Sequence, residues 1–437
     1  MKKRWLVTLM VMTLVLSLTV PSAAFFGFGD DDEDEPTKIT YWTTQVESSR
    51  LEVIKGLAKK FTEETGIEVK VVPVEENDFS TKLSAAQAGN KLPQVMEMGV
   101  QKILRLGNAG LLDIEAAGDV INSYGRDDFY QGPLEMTQVA NGDGNYAVPF
   151  HGWVQGIWYR EDWFEEAGLE APTNWENILK AAKHFHKPDQ KQYGIIFGTK
   201  KDAYARQTFT QFALSNDARV FNEEGELVYN SPEMLETYKY LKDLANYTQP
   251  GPETWRDGRN LFLNDQVAMM FYSTYIMSDL VGENMVEKTG FASKMEHSSA
   301  ATFGQVVGLS ITSTNSDAKE EAAKKFVKFL HDKKNYIEFL HMAPGGMNPV
   351  RKSIAQSKEY KDNKTISVYG DKATEIASGL DNIGKFGFVG GKVFPKMGDI
   401  GARYVIGDSI NQMTERDWEA QKALDYATNK MKEIVNE

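Results

Sequence analysis

The stretch "KITYWTTQVESSRLEVIKGLAKKFTEETGIEVKVV", residues 38–72, decides how this chain folds. In its first five residues Ile39 and Tyr41 alternate with Thr40 and Trp42, the two-residue period of a half-buried strand. From Ser49 onward Leu51, Ile54, Leu57, Ala58 and Phe61 recur at helical spacing, and Gly66 stands where a helix stop belongs. Ile67, Val69 and Val71 then alternate again. Strand, helix and strand in this order call for a right-handed crossover and a parallel sheet.

Downstream the pattern repeats. Phe79, Leu83 and Ala86 mark a second helix, "GNKLP" (89–93) breaks it, and "QVMEM" (94–98) is a third strand. The outcome is an open α/β domain, in which ligands bind beyond the carboxyl ends of the strands. That rule directs attention to residues 42–47, 75–78 and 97–101. From Gly152 a second unit of the same kind begins. In "APTNWENILKAAKHF" (171–185) Thr173 is the expected helix cap, with Glu176 three residues later. "QYGIIFG" (192–198) and "VAMMFY" (267–272) read as buried strands, and "SPEMLETYKYLKDLANY" (231–247) and "TNSDAKEEAAKKFVKFLHD" (314–332) as amphipathic helices.

The 437 residues are 41% hydrophobic and 25% charged, a globular composition with length enough for two lobes. Lys2, Lys3 and Arg4 precede an apolar run from Trp5 to Val20, then Pro21, Ser22, Ala23 and Ala24. This is the pattern of a secretory signal over residues 1–24, cut after Ala24. Cysteine is absent, so no lipid-bearing thiol exists at the cleavage site, and a periplasmic or secreted protein is expected rather than a lipoprotein. The formal charge is −13, and loss of the three basic signal residues takes it to −16. Asp30 to Glu35 form an unbroken acidic run, so residues 25–36 read as a solvated acidic linker. A balance of this sign disfavours nucleic acid as a partner.

Signatures of enzymes and metal sites are missing: no H-E-x-x-H, G-x-S-x-G or paired-cysteine motif occurs. "GLDNIGKF" (379–386) has the glycine and lysine spacing of a phosphate-binding loop, but Phe386 stands where Ser or Thr must reach magnesium. His184 and His186 are two apart in a helix and so lie on different faces, unsuited to share a metal. No cofactor and no metal are expected.

The order of motifs from about residue 37 to the end resembles the extracellular solute-binding proteins of ABC importers, in the branch that includes maltose-binding protein. The pieces that carry the likeness are "ITYW", "FTEETGIEVKVV", "KLSAAQAGNKLPQV", "GLLDI", "YAVPFHGWVQGIWYREDWFEEAGLEAPTNWENILKAAK", "FLNDQVAMMFY", "AAKKFVKFL" and "GGMNPVRKS". Two positions depart from the family pattern: Gln94 where an Asp is frequent, and Asp265 where a glycine is usual. The resemblance implies two α/β lobes of the periplasmic-binding-protein fold, type II-like, with a ligand cleft between them. It also implies three hinge crossings, near Pro149–Gly152, Ala300–Gly304 and Gly345–Pro349. On this reading residues 37–149 and 304–346 form the N-terminal lobe, and 152–300 and 349–437 the C-terminal lobe.

The implied function is a non-catalytic, monomeric receptor that delivers a di- or oligosaccharide to the permease subunits of an ABC transporter. Sugars stack their apolar ring faces on aromatic side chains, while their hydroxyls need planar polar partners. After the first strand Trp42, Gln45 and Glu47 suit that chemistry; Glu76 and Asp78 follow the second, and Gln101 the third. The resemblance adds Trp153 at the first crossing, Tyr275 after the "AMM" strand, and Trp255, Asp399 and Arg403. Trp158, by contrast, is expected in the core. Two other readings stay open at this point: capture of a polyamine, compatible solute or metal ion in the same fold, and a secreted polysaccharide lyase or glycosidase.

Overall fold

The computed structural model describes residues 37–139, 142, 144–313, 316–390 and 392–437. The signal sequence expected over 1–24 and the acidic linker over 25–36 lie outside the described residues. Strand β1 is Lys38–Thr43, with Ile39, Tyr41 and Thr43 buried on one face. Helix α1, Ser48–Thr65, buries Ile54, Leu57, Ala58 and Phe61. It stops at Gly66, whose φ of 74° is left-handed and whose N–H bonds the Thr62 carbonyl. Strand β2, Glu68–Pro73, pairs parallel with β1, Ile39 opposite Val69. Helix α2, Glu76–Ala88, leads to β3, Val95–Gly99, also parallel to β1, and α3 spans Val100–Asn108. The parallel βαβ reading of residues 38–72 is therefore what the chain builds.

The remaining strands are β4 (Val148–Arg160), β5 (Tyr193–Ile196), β6 (Val267–Ser273), β7 (Thr289–Ala292), β8 (Met295–Glu296), β9 (Ala300–Ile311), β10 (Asn348–Pro349), β11 (Ile383–Gly384), β12 (Phe388–Val389) and β13 (Lys392–Val393). The main sheet runs β2-β1-β3-β9-β4-β6-β5. Its two ends, β2-β1-β3 and β6-β5, are parallel α/β sheets. Between them β9 and β4 run antiparallel to each other and to their outer neighbours, so these two long strands belong to both ends at once. Gly152 pairs with Val306 on one side and with Asn348 on the other, which brings three segments of the chain side by side. Ala300–Gly304 lies further along β9, opposite β8, Val154 and Gln155. Residues 349–382 touch the first half around residues 128–131: Arg351 pairs with Asp128 at 2.8 Å, and Asp381 accepts the Gln131 N–H at 2.7 Å.

Twelve of the thirteen residues of β4 are buried, the exception being Trp153. Strands pair with both edges, β9 on one side and β6, β7 and β10 on the other, and its side chains pack in two apolar clusters, Val154 and Trp158 in one and Ile157 and Tyr159 in the other. Trp158 is 1% exposed and stacks on Phe291 with ring centroids 4.2 Å apart. Two expected details differ. The helix Trp175–Phe185 is capped by Asn174, which accepts the Asn177 N–H at 2.9 Å, rather than by Thr173. Asn is a strong cap, and this start turns Trp175, Ile178 and Ala182 inward together. Residues 379–386 form a 3-10 turn followed by β11, which pairs with β9, so no helix begins there to receive a phosphate. Of the two departures from the family pattern, Gln94 accepts the Thr40 N–H at 2.9 Å, and Asp265 holds a φ of 58° where glycine would be unstrained. Among the described residues no helix is long and apolar enough to cross a membrane.

Gly156 shows how tightly β4 is seated. A Cβ built there would lie 2.3 Å from the Ala292 carbonyl oxygen and 2.7 Å from Ser293 Cα, both backbone atoms that cannot rotate away. Gly156→Ala is expected to lower stability by about 2 kcal/mol through this overpacking, read as an earlier midpoint in urea unfolding. An unchanged midpoint would contradict the packing described.

Candidate functional site

The carboxyl ends of β1 and β3 meet at Glu97, a carboxylate with no exposed surface. A buried charge of this kind survives only when its lone pairs are met by donors. Thr43 Oγ1 donates to it at 2.5 Å, Tyr41 Oη at 3.0 Å and Gln45 Nε2 at 2.8 Å, while His151 Nε2 of β4 stands 3.2 Å away. Burial alone would raise the Glu97 pKa, but His151, Thr43 and Gln45 outweigh it and hold the group below its ordinary value. The strand period explains the convergence, since Tyr41 and Thr43 share one face of β1.

From this hub a chain of contacts leads outward to solvent. Gln45 accepts from Arg50 Nη1 at 2.9 Å, and Arg50 in turn lies 3.4 Å from Glu47. Glu76, in the first turn of α2, pairs with Lys102 of α3 at 2.7 Å. Trp42, half-buried, sets its indole edge-on to Phe79 at 5.8 Å. Tyr275 reaches this neighbourhood from the far end of β6. Its charged neighbours are Arg50, Glu97, Glu47 and Glu76, and burial pushes its hydroxyl up to about 12. The ring lies over Gly346, where any Cβ would come within 2.3 Å of it.

The candidates thus separate by position. Trp42, Gln45, Glu47, Glu76 and Tyr275 are brought together. Trp153 sits on the central strands, 5.9 Å from Phe303 between ring centroids. Asp78 is exposed in the first turn of α2, and Gln101, in the first turn of α3, borders a narrow groove with Phe388 and Pro395. Trp255 is 39% exposed at the start of the helix Trp255–Leu263, under the Arg256 guanidinium and edge-on to Tyr272. Asp399 is exposed, and Arg403 is taken up by Glu437 at the C-terminus, with Nη1 2.9 Å from Oε1. Sequence reasoning passed over Arg50, His151, Lys102, Arg206 and Lys385. Two left a trace: His151, inside the expected Pro149–Gly152 crossing, and Lys385, as the lysine of the imperfect phosphate loop. Among the described residues no group of three His, Asp or Glu side chains could hold a metal ion.

Since the folded pKa of Glu97 lies below its ordinary value of 4.5, its contribution to stability is complete above that pH and fades as pH falls through the folded value. Glu97→Gln should cost on the order of 3 kcal/mol near neutral pH. Denaturant titrations should show the gap from wild type narrowing in acid; a gap independent of pH would contradict the ionised hub.

Comparison with known proteins adds the family. Residues 47–337 match the family described as bacterial extracellular solute-binding protein. A putative ABC transporter periplasmic-binding protein of Escherichia coli K12, YcjN, is 33% identical over 425 residues, covering 97% of this chain and 98% of its own. The mannitol-binding protein of Pseudomonas aeruginosa is 26% identical over 253 residues, covering 55% and 56%. Among solved structures, a solute-binding protein of Agrobacterium radiobacter K84 in complex with ribitol aligns with a TM-score of 0.72 at 24% identity, over 92% of this chain and 100% of that one. Maltose-bound MalE3 of T. maritima aligns at 0.71 and 22%, over 91% and 99%. These structures share the two-lobed α/β fold. The chain belongs to the bacterial extracellular solute-binding proteins, the substrate-binding components of ABC transporters, which hand small molecules to membrane permease subunits and are not enzymes.

Proposed function

We propose that this protein captures a carbohydrate, a di- or oligosaccharide, between two lobes that close around it. The lobes are residues 37–149 with 304–346, and 152–300 with 349–437. The observation that carries the reading is the position of Tyr275. An aromatic ring on the second half faces a polar edge of Gln45, Glu47, Arg50 and Glu76 on the first, with Trp42 beside them. A pyranose needs both kinds of surface at once. Contacts from both halves also supply the differential affinity that drives closure, because the open form can make only one set. The mannitol-binding relative and the ribitol- and maltose-bound structural neighbours are in keeping with a polyhydroxylated ligand.

Trp153 is the second aromatic platform in this proposal, as the one residue of β4 that is not buried. Asp78, Gln101, Trp255 and Asp399 are assigned outer roles, reached only by a longer chain, while Arg403, paired with Glu437, is given none. Export is assigned to residues 1–24, with the mature protein a free monomer in the periplasm.

Calorimetric titration against a panel of sugars and polyols tests the ligand class. Tyr275→Ala and Trp153→Ala should each weaken the sugar that binds by about tenfold to a hundredfold, and small-angle scattering should show compaction on binding. Retention of full affinity by both variants, or no binding to any member of the panel, would overturn the proposal.

A further inference from the structure

Lys385 is 2% exposed, yet among the described residues no carboxylate approaches its ammonium within ion-pair distance; its partner is the Gln305 side-chain oxygen. Arg206, on the helix Ala203–Ser215, is close enough to Lys385 for the two cations to repel. Its Nε is buried and meets no acceptor. Burial lowers the pKa of both, and Lys102 adds further repulsion at Lys385 that Glu76 only partly offsets. Glu76 is itself paired with Lys102. A chain of net charge −13 thus holds a buried lysine beside a half-buried arginine with no carboxylate between them, an expensive arrangement unless an anion shares it.

The spot is joined to the sugar platform. Gln305 lies directly opposite Trp153 in the β4–β9 ladder, so their side chains leave the same face of the sheet. Lys385, held by Gln305, therefore stands on the indole side. Three residues later the β12–β13 hairpin begins, and it packs Phe388 and Val393 onto the first-half apolar cluster containing Phe79, Met98 and Leu104. Lys385 is buried three residues ahead of this contact. Desolvation of these cations carries a penalty that a negatively charged group on the ligand would turn into attraction.

We infer that the cleft selects an anionic sugar, one bearing a carboxylate or phosphate, whose ring lies on Trp153 and whose charged group is received by Lys385 and Arg206. This inference rests on the carbohydrate reading above and narrows it. Titration of matched sets is the test: glucose, glucuronate and glucose 6-phosphate, then a neutral disaccharide and its aldonate, with inorganic phosphate as the bare anion. At least one acidic sugar should bind about tenfold or more tightly than its neutral parent, and which acid wins separates carboxylate from phosphate. Lys385→Met should abolish the preference while leaving the free protein's melting temperature equal or higher, since a buried charge is removed; Arg206→Gln should reduce it without touching the core position. Neutral sugars binding as tightly as their acids would overturn the inference and leave the carbohydrate receptor standing. Phosphate alone binding as tightly as the sugar acids would overturn it in favour of a bare oxyanion. Absence of binding by every sugar would overturn both readings together.

Discussion

The backbone ladder between β4 and β9 is the constraint on which the rest depends. Its pairings run from Val148–Leu309 to Gln155–Phe303, and all but Trp153, Gln305 and Val307 among its residues are buried from water. Opening such a ladder would leave N–H and C=O groups unpaired at about 1–3 kcal/mol each, so relative motion of the two halves has to bend the ladder and keep its bonds. The register shifts between Pro149 and His151, a bulge that gives β4 a place to bend, and β10 joins at the same level. His151 then ties this place to Glu97, and through it to the ends of β1 and β3. The floor of the candidate cleft and the bending point are therefore one hydrogen-bonded unit.

Charge is distributed unevenly around that unit. The buried carboxylate at Glu97 is surrounded by donors, whereas Lys385 has one neutral acceptor and Arg206 Nε none. A satisfied buried charge fixes structure, whereas an unsatisfied one carries a desolvation cost. Exposed pairs such as Glu76 with Lys102 are screened by water and contribute little to the fold. The acidic surface and the basic interior act at different ranges: the first governs solubility and encounter, the second acts only after water has been displaced.

Much of the architecture was legible along the chain. The βαβ order of residues 38–72, the glycine stop at Gly66 and the inward faces of Asp317–His331 follow from repeats of two and of about four residues, which are local properties. The site was legible in part. Gln45, Glu47 and Glu76 were singled out as candidates because parallel sheets place their loops at one edge. Arg50 was missed because it sits inside a helix and looked like a surface residue, and Arg403 looked available because nothing local announces its pairing with Glu437, 34 residues away. Thr173 and Asn174 are both good caps; the structure uses Asn174, the stronger of the two by intrinsic preference, and buries Trp175 directly after it.

By itself the sequence determined the periodicities, hence the elements, their order and the parallel sheets, because backbone sterics and side-chain spacing act over a few residues. Tertiary structure alone decided which charges meet and which are left without a partner. Lys385 lies more than 280 residues from Glu97 and 80 from Gln305 in the chain, and no local rule connects them. Electrostatic effects depend on distance through space and on the water removed from around each group, and both are defined only once the two halves have come together.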